Sequence, residues 1–149
     1  MAIGFYCNRE VVITEPGTNV LEAAQLMRQY HVGTLVVAEK VDGIVRPKGI
    51  VTDRDLVLGV MAADLKPDTI LVSDIMPDSL YTVRDEESVS ETMRIMRSHG
   101  VRRILVVDWQ GGLQGIVSVD DLIALLTEEM QELAKLIARE QERERATRK

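Results

Sequence analysis

Two short stretches of this 149-residue chain set a hydroxyl three residues ahead of a carboxylate, Thr52-Asp53-Arg54-Asp55 and Ser118-Val119-Asp120-Asp121, each directly after an apolar run. Where a strand ends and a helix begins, backbone N–H groups lack partners and the helix dipole favours negative charge. Together with the hydroxyl they can hold a phosphate. Asp55 and Asp121 each bring two acceptor oxygens, which suits the paired hydroxyls of a ribose. The same residues serve equally well as helix caps, with the hydroxyl at the N-cap and the carboxylate in the first turn. A second constellation, Arg102-Arg103, stands at the entrance to the apolar run ILVVD. Two guanidiniums beside a cleft can neutralise phosphates through charge-assisted, bidentate hydrogen bonds. Either arginine alone can instead pair with a surface carboxylate. Arg54 has the same two uses, a phosphate contact or an ion pair with a neighbouring aspartate.

These residues recur because the chain repeats itself. VLEAAQLMRQYHVGTLVVAE, from Val20, realigns at an offset of 69 onto VSETMRIMRSHGVRRILVVD, from Val89, and GIVTDRDL at Gly49 answers GIVSVDDL at Gly115 at an offset of 66. Ordered self-similarity of this kind marks a duplicated structural unit, with three extra residues in the first copy between its two strands. Each copy reads as a short strand, a helix, two strands and a second helix. In the first, strand Val11–Ile13 is followed by the turn Glu15-Pro16-Gly17, and Thr18 or Asn19 caps the next helix. Val20, Ala23, Ala24 and Met27 fall on one face of that helix, as Val89, Met93 and Met96 do in the second copy. Thr34–Ala38 with Lys48–Thr52, and Arg103–Val107 with Leu113–Ser118, read as strand pairs turned at Asp42-Gly43 and Gly111-Gly112. Trp109, at the second turn, is expected to cover its hairpin. His31 and His99 end the first helices, where a histidine can satisfy the last carbonyls. Repeat one is expected over residues 7–65, a linker over 66–73, repeat two over 74–128 and a helical extension over 129–149.

The helical stretch that ends repeat two and runs into this extension starts near Asp120. Ile123, Leu126, Met130, Leu133 and Ile137 step by three and four, a heptad seam that needs a partner. The last eleven residues hold five basic and three acidic side chains, so the tail is at +2 and the remainder at −8. Their simplest reading is a solvated, fraying helix end.

Composition narrows the function. The chain is long enough to bury a core. The net charge of −6 and an aromatic content of 3% provide neither a basic phosphate-tracking face nor a base-stacking platform, so nucleic acid is not expected as a ligand. One cysteine, Cys7, and two histidines form no zinc site and no internal disulfide. Neither a signal sequence nor an apolar run of membrane length is evident, and the expectation is a soluble, cytoplasmic protein. Asp53, Asp55, Asp120 and Asp121 could gather a magnesium ion beside bound phosphates, but the helix dipole explains them without a metal. No nucleophile stands with a base, so the expectation is a protein that is not an enzyme.

With both copies laid out, the chain resembles a pair of cystathionine-β-synthase (CBS) domains, the Bateman module, over about residues 7 to 128. The marks are the DIMP opening at Asp74, HGVRRILVVD from His99, and the paired GIVTDRDL and GIVSVDDL. The resemblance implies an α/β fold (α+β in strict usage) of two β-α-β-β-α repeats packed about a pseudo-two-fold axis, commonly paired again as a homodimer. It also implies regulatory binding of adenosine-containing ligands, AMP, ADP, ATP, NAD or S-adenosylmethionine, with Mg2+ accompanying ATP, and signalling to an unknown regulated protein. The family's phosphate and ribose positions fall on Thr52 with Asp55 and on Ser118 with Asp121. Its basic pair falls on Arg102 and Arg103, where repeat one has Gly33 and Thr34. Either one cleft holds a phosphorylated ligand better than the other, or Gly33 opens room for a bulkier or less charged group. A ligand-independent dimerisation or interaction module is the alternative.

Overall fold

The computed structural model describes residues 1–148, and its elements run in two copies of one order. The first copy has strand β1 (Ile13–Thr14), helix α1 (Val20–Tyr30), strands β2 (Thr34–Val41) and β3 (Ile44–Thr52), and the short helix α2 (Asp53–Leu56). A π-helical turn over Val57–Met61 prolongs α2. Helix α3 (Val72–Ile75) leads into the second copy, β4 (Thr82–Arg84), α4 (Val89–His99), β5 (Arg103–Val107), β6 (Leu113–Ser118) and α5 (Val119–Thr147).

Local chemistry sets the ends of these elements. Asn19 Oδ1 accepts from the Glu22 N–H at 2.9 Å, and Ser88 Oγ accepts from the Glu91 N–H at 3.0 Å, so each first helix begins on a side-chain cap. Each stops at a left-handed residue, His31 (φ 55°) and Gly100 (φ 64°). Strand β1 lies slightly later than the sequence suggests. The first hairpin is longer at both ends of its turn, because pairing continues from Thr34↔Thr52 to Val41↔Ile44. Pro47, which cannot donate to a ladder, sits where the register shifts between Val37 and Ala38. Trp109 does not cover its hairpin. It stands 74% exposed, because the Asp108 carboxylate closes that turn by accepting the N–H groups of Gln110 and Gly112.

Each copy forms a three-stranded sheet in which a parallel first strand flanks an antiparallel pair, in the orders β1-β2-β3 and β4-β5-β6. Val36, Ala38 and Leu105 bury between the sheets with Ile50 and Ile116 packed against them. The other sheet faces are covered by helices. Ala23 and Met27 pack on Leu35, Val37 and Val51, and Val89 and Met96 pack on Ile104, Val106 and Val117. The two copies therefore meet sheet to sheet about a pseudo-two-fold axis.

The leading segments of the two copies are crossed. Ile3, fully buried, belongs to the core of the second copy, while Val72, equally buried, belongs to the core of the first. Backbone bridges fix both, Ala2↔Ser88 and Asn19↔Leu71. Residues 66–73 are accordingly packed along the first copy, with the Val20 N–H donating to Ile70 O at 2.8 Å and the Val72 N–H donating to Thr18 O at 2.9 Å.

Where the crossed segments pass over the sheets, the strands carry glycine. A Cβ on Gly49 would lie 2.8 Å from Met76 Sδ, and one on Gly115 would lie 2.5 Å from Asn8 O and 2.8 Å from Cys7 Sγ. Burial at this crossing pushes the Cys7 thiol pKa up, with the nearby Arg9 charge opposing the shift. Gly115→Ala should lower stability by about 1–3 kcal/mol, because Asn8 O is backbone hydrogen-bonded to the Ile116 N–H and cannot yield. Gly49→Ala should cost less, since the thioether of Met76 can turn aside. Urea unfolding of the two variants checks the order; equal losses would mean that the crossing is not rigid.

Candidate functional site

Strands β3 and β6 end at Thr52 and Ser118, and both residues are N-caps of the helices that follow. At the first, the Thr52 N–H donates to Asp55 Oδ2 at 2.8 Å and the Asp55 N–H donates to Thr52 Oγ1 at 3.3 Å. At the second, the Ser118 N–H donates to Asp121 Oδ2 at 3.0 Å and the Asp121 N–H donates to Ser118 Oγ at 3.1 Å. These are reciprocal capping boxes. The capping reading of these residues is thus realised at both positions. It does not use up the carboxylates, because Oδ1 of Asp55 and of Asp121 takes no part in either box.

The sheet-to-sheet packing turns the two boxes toward the opposite copy. Across from Thr52 and Asp55 stand Val101, Arg102 and Arg103, and the connecting residues Pro77 to Tyr81 form a third wall of a cleft of about 320 Å3. Across from Ser118 and Asp121 stand Val32, Gly33 and Thr34, and residues Asn8 to Val12 wall a second cleft of about 280 Å3. Arg103 lines both. Arg54 lines neither; it lies on α2 outside the two clefts, its backbone N–H donating to Asp53 Oδ1 at 2.9 Å.

The clefts differ in charge. Asp55, Arg102 and Arg103 leave the first with one positive charge in excess, whereas Glu10, Asp121 and Arg103 leave the second with one negative charge in excess. Arg102 is 3.9 Å from Asp120 across an exposed pair, a contact too open and too long to hold the guanidinium in place. Gly33 has a role beyond leaving space. Its carbonyl accepts the Asp53 N–H at 2.9 Å, and a Cβ there would meet Asp53 Oδ2 at 2.9 Å. Tyr81, in the first cleft, stacks on His99 with ring centroids 4.0 Å apart.

The walls at Asn8–Val12 and Pro77–Tyr81 escape a reading by motif. They carry no shared residue types, and only the offset of 69 relates Glu10 to Ser79 and Val12 to Tyr81. Among the described residues, no three or more His, Cys, Asp and Glu side chains come together as a metal site. No helix among them is long and apolar enough to cross a membrane.

A model of the CBS domain matches residues 3–61 and again residues 72–128. The chain belongs to the CBS-domain family. As a CBS pair it is a regulatory module, and its relatives share its proportions. A CBS domain-containing protein of Bacillus subtilis, YhcV, is 35% identical over 113 residues, covering 76% of each chain. A CBS domain protein from Pyrobaculum aerophilum, solved in complex with AMP, superposes with a TM-score of 0.73 at 28% identity, covering 86% of this chain and 97% of its own. Hypoxic Response Protein I, solved with two coordinated zinc ions, gives a TM-score of 0.70 at 29% identity over 83% of this chain and 98% of its own. A hexameric CBS-CP12 protein from bloom-forming cyanobacteria gives 0.70 at 27% identity over 93% of this chain and 84% of its own.

The capping boxes make a prediction that needs no ligand. Ser118→Ala should lower stability by about 1 kcal/mol, because Ser118 starts the helix whose first turn buries Leu122. Thr52→Ala should cost a similar amount. Chemical denaturation of each variant reads this directly, and an unchanged midpoint would mean that the hydroxyl is idle in the free protein.

Proposed function

We propose that this CBS pair senses an adenosine-containing nucleotide, AMP, ADP, ATP or NAD, in the first cleft, and passes the binding event to a partner as a change in the angle between its two copies. One observation carries this reading: Asp55, with one carboxylate oxygen outside its capping box, lines a cleft of about 320 Å3 together with Arg102 and Arg103, and the walls of that cleft come from both copies. The carboxylate suits a ribose and the guanidiniums suit phosphates. Tyr81, backed by His99, offers a flat apolar wall for a base. AMP in the related Pyrobaculum aerophilum protein supports an adenine nucleotide as the ligand class. S-adenosylmethionine fits the same walls less well, since it brings positive charge to the arginines. Mg2+ enters only with the polyphosphate of ATP.

A ligand that touches both copies changes their arrangement only to the extent that it binds one arrangement better than the other. The first cleft gives a ligand the means to distinguish arrangements, because Thr52 and Asp55 belong to one copy and Arg102 and Arg103 to the other. The second cleft, with its excess negative charge, is the weaker phosphate site. The hexameric relative favours self-association as the framework of this signal, with a homodimer as its smallest form, and a cytoplasmic location fits an unpaired cysteine. A module that only dimerises or docks a partner is the second reading, favoured by the exposed apolar seam of α5.

Calorimetry with AMP, ADP, ATP, NAD and S-adenosylmethionine, with and without magnesium, tests the proposal. Arg103→Ala should weaken AMP roughly tenfold or more, the size of a lost hydrogen bond to a charged group, while leaving adenosine nearly unchanged. Asp55→Ala should weaken both. Asp121→Ala should affect only a second, weaker binding event. A nucleotide at 100 times its Kd should also add about 2.7 kcal/mol of stability. If no nucleotide binds the native chain, the reading fails and the interaction module takes its place.

A further inference from the structure

Helix α5 is attached to the body only at its start. Leu122 is buried, but every described residue from Leu126 onward is exposed. At 1.5 Å per residue, the stretch from Leu126 to Thr147 projects roughly 33 Å past the folded core. Such a projection would be unremarkable if it were polar, but Leu126, Met130, Leu133 and Ile137 are 41%, 66%, 56% and 56% exposed. They continue a single stripe that begins with Val119 and Ile123. With Ile123 at position a of a heptad, the a residues are Ile123, Met130 and Ile137, and the d residues are Val119, Leu126 and Leu133.

We infer that this stripe is the seam of a parallel, two-stranded coiled coil with α5 of a second copy of the chain. Three observations select this occupant. Isoleucine at a with leucine at d favours two parallel strands, since the β-branched and γ-branched side chains fit the different holes of those layers. In register, every layer from Val119 to Ile137 then packs an apolar residue on its own copy. Charge decides against the reversed pairing. An antiparallel match that keeps all six layers apolar sets Glu129 beside the second copy's Glu129, whereas the parallel match sets Glu129 beside Ala134.

The third observation is continuity. The seam is shorter than the three to four heptads, roughly, of a free-standing coiled coil, and needs support at one end. Its base has that support. Val119, Ile123 and Leu126 also wall a groove of about 470 Å3 with Met93, Met96 and Val101, so the apolar surface offered to a second copy runs unbroken from the body onto the helix. The seam stops where Glu140 and Glu144 take the next d and a positions. Beyond it the helix carries exposed pairs of its own, Arg139 with Glu142 at 3.3 Å and Arg148 with Glu144 at 2.9 Å.

The test is positional and uses no nucleotide, so its failure is distinct from failure of the ligand reading. In the full-length chain, Ile137→Cys places two thiols at one layer of a parallel pair, within reach of a disulfide; the reversed pairing sets residue 137 against residue 119 instead. Under mild oxidation this variant should become a covalent dimer on a non-reducing gel, while the native chain, with Cys7 alone, should not. Adding Leu133→Asp should abolish that product, with circular dichroism confirming that the body remains folded. No dimer from Ile137→Cys, or a dimer that survives Leu133→Asp, would overturn the parallel pair. Either would leave the seam to an antiparallel copy or to another protein.

Discussion

The structure depends on an exchange. Each copy is completed by a residue delivered ahead of the other copy, Ile3 to the second core and Val72 to the first. Neither sheet can be covered without its opposite number, so the halves are coupled through their cores as well as through the layer of Val36, Ala38 and Leu105 between them. The same exchange builds the clefts. The chain that leaves each crossing, Asn8 to Val12 or Pro77 to Tyr81, becomes the third wall of the cleft it borders. Cleft shape and core packing are therefore one constraint, and a rotation of one copy on the other must move cleft walls.

In the proposed nucleotide site a helix cap and a ligand group would be the same residue. A carboxylate fixed by a capping box has its orientation set in advance, because Oδ2 of Asp55 is held by the Thr52 N–H while Oδ1 remains unengaged by the box. A preoriented acceptor loses little freedom on binding. The arginines opposite are the reverse case. Among the described residues Arg102 has only a long, exposed contact to Asp120, so in the proposed site it would reach a phosphate without breaking a strong bond. One side of the cleft is fixed by a capping box, and the other presents an arginine with only a long, exposed ion pair.

Much of this arrangement was legible in the chain. The offsets of 69 and 66 revealed the duplication, and β5 and β6 lie where their apolar runs place them. Thr52, Asp55, Arg102 and Arg103 do share a cleft, as do Ser118, Asp121, Gly33 and Thr34. What the sequence hid was tertiary. The exchange of Ile3 and Val72 leaves no periodic signal, because each is a single residue in a short turn or helix. The glycines at 49 and 115 read as part of a repeated motif, whereas their reason is the passage of Met76 and Cys7 across them. Arg54 sits in a motif that faces the cleft and yet points no contact into it, since neighbouring residues at a helix start project in different directions. The position of Trp109 at a turn suggests cover for the hairpin, whereas the Asp108 carboxylate already closes that turn and the indole stays exposed.

The asymmetry between the copies follows from these same points. Duplication alone would give two equal clefts, yet Arg102 and Arg103 are answered by Gly33 and Thr34, and Ser79 by Glu10. The replacement at residue 33 is bound up with packing, because Asp53 lies against Gly33 where a larger residue would displace it. In the second copy Val119 holds the position of Asp53, and its N–H donates to Arg102 O at 2.9 Å, so residue 102 faces a valine where Gly33 faces a carboxylate. One exchange, aspartate for valine at the start of the following helix, thus accompanies the loss of an arginine from one cleft and its retention in the other. It also places Val119 at the head of the apolar stripe on α5. The copy that contributes the cationic wall of the first cleft is the copy that carries the projecting helix, which places Arg102 directly behind the base of that helix.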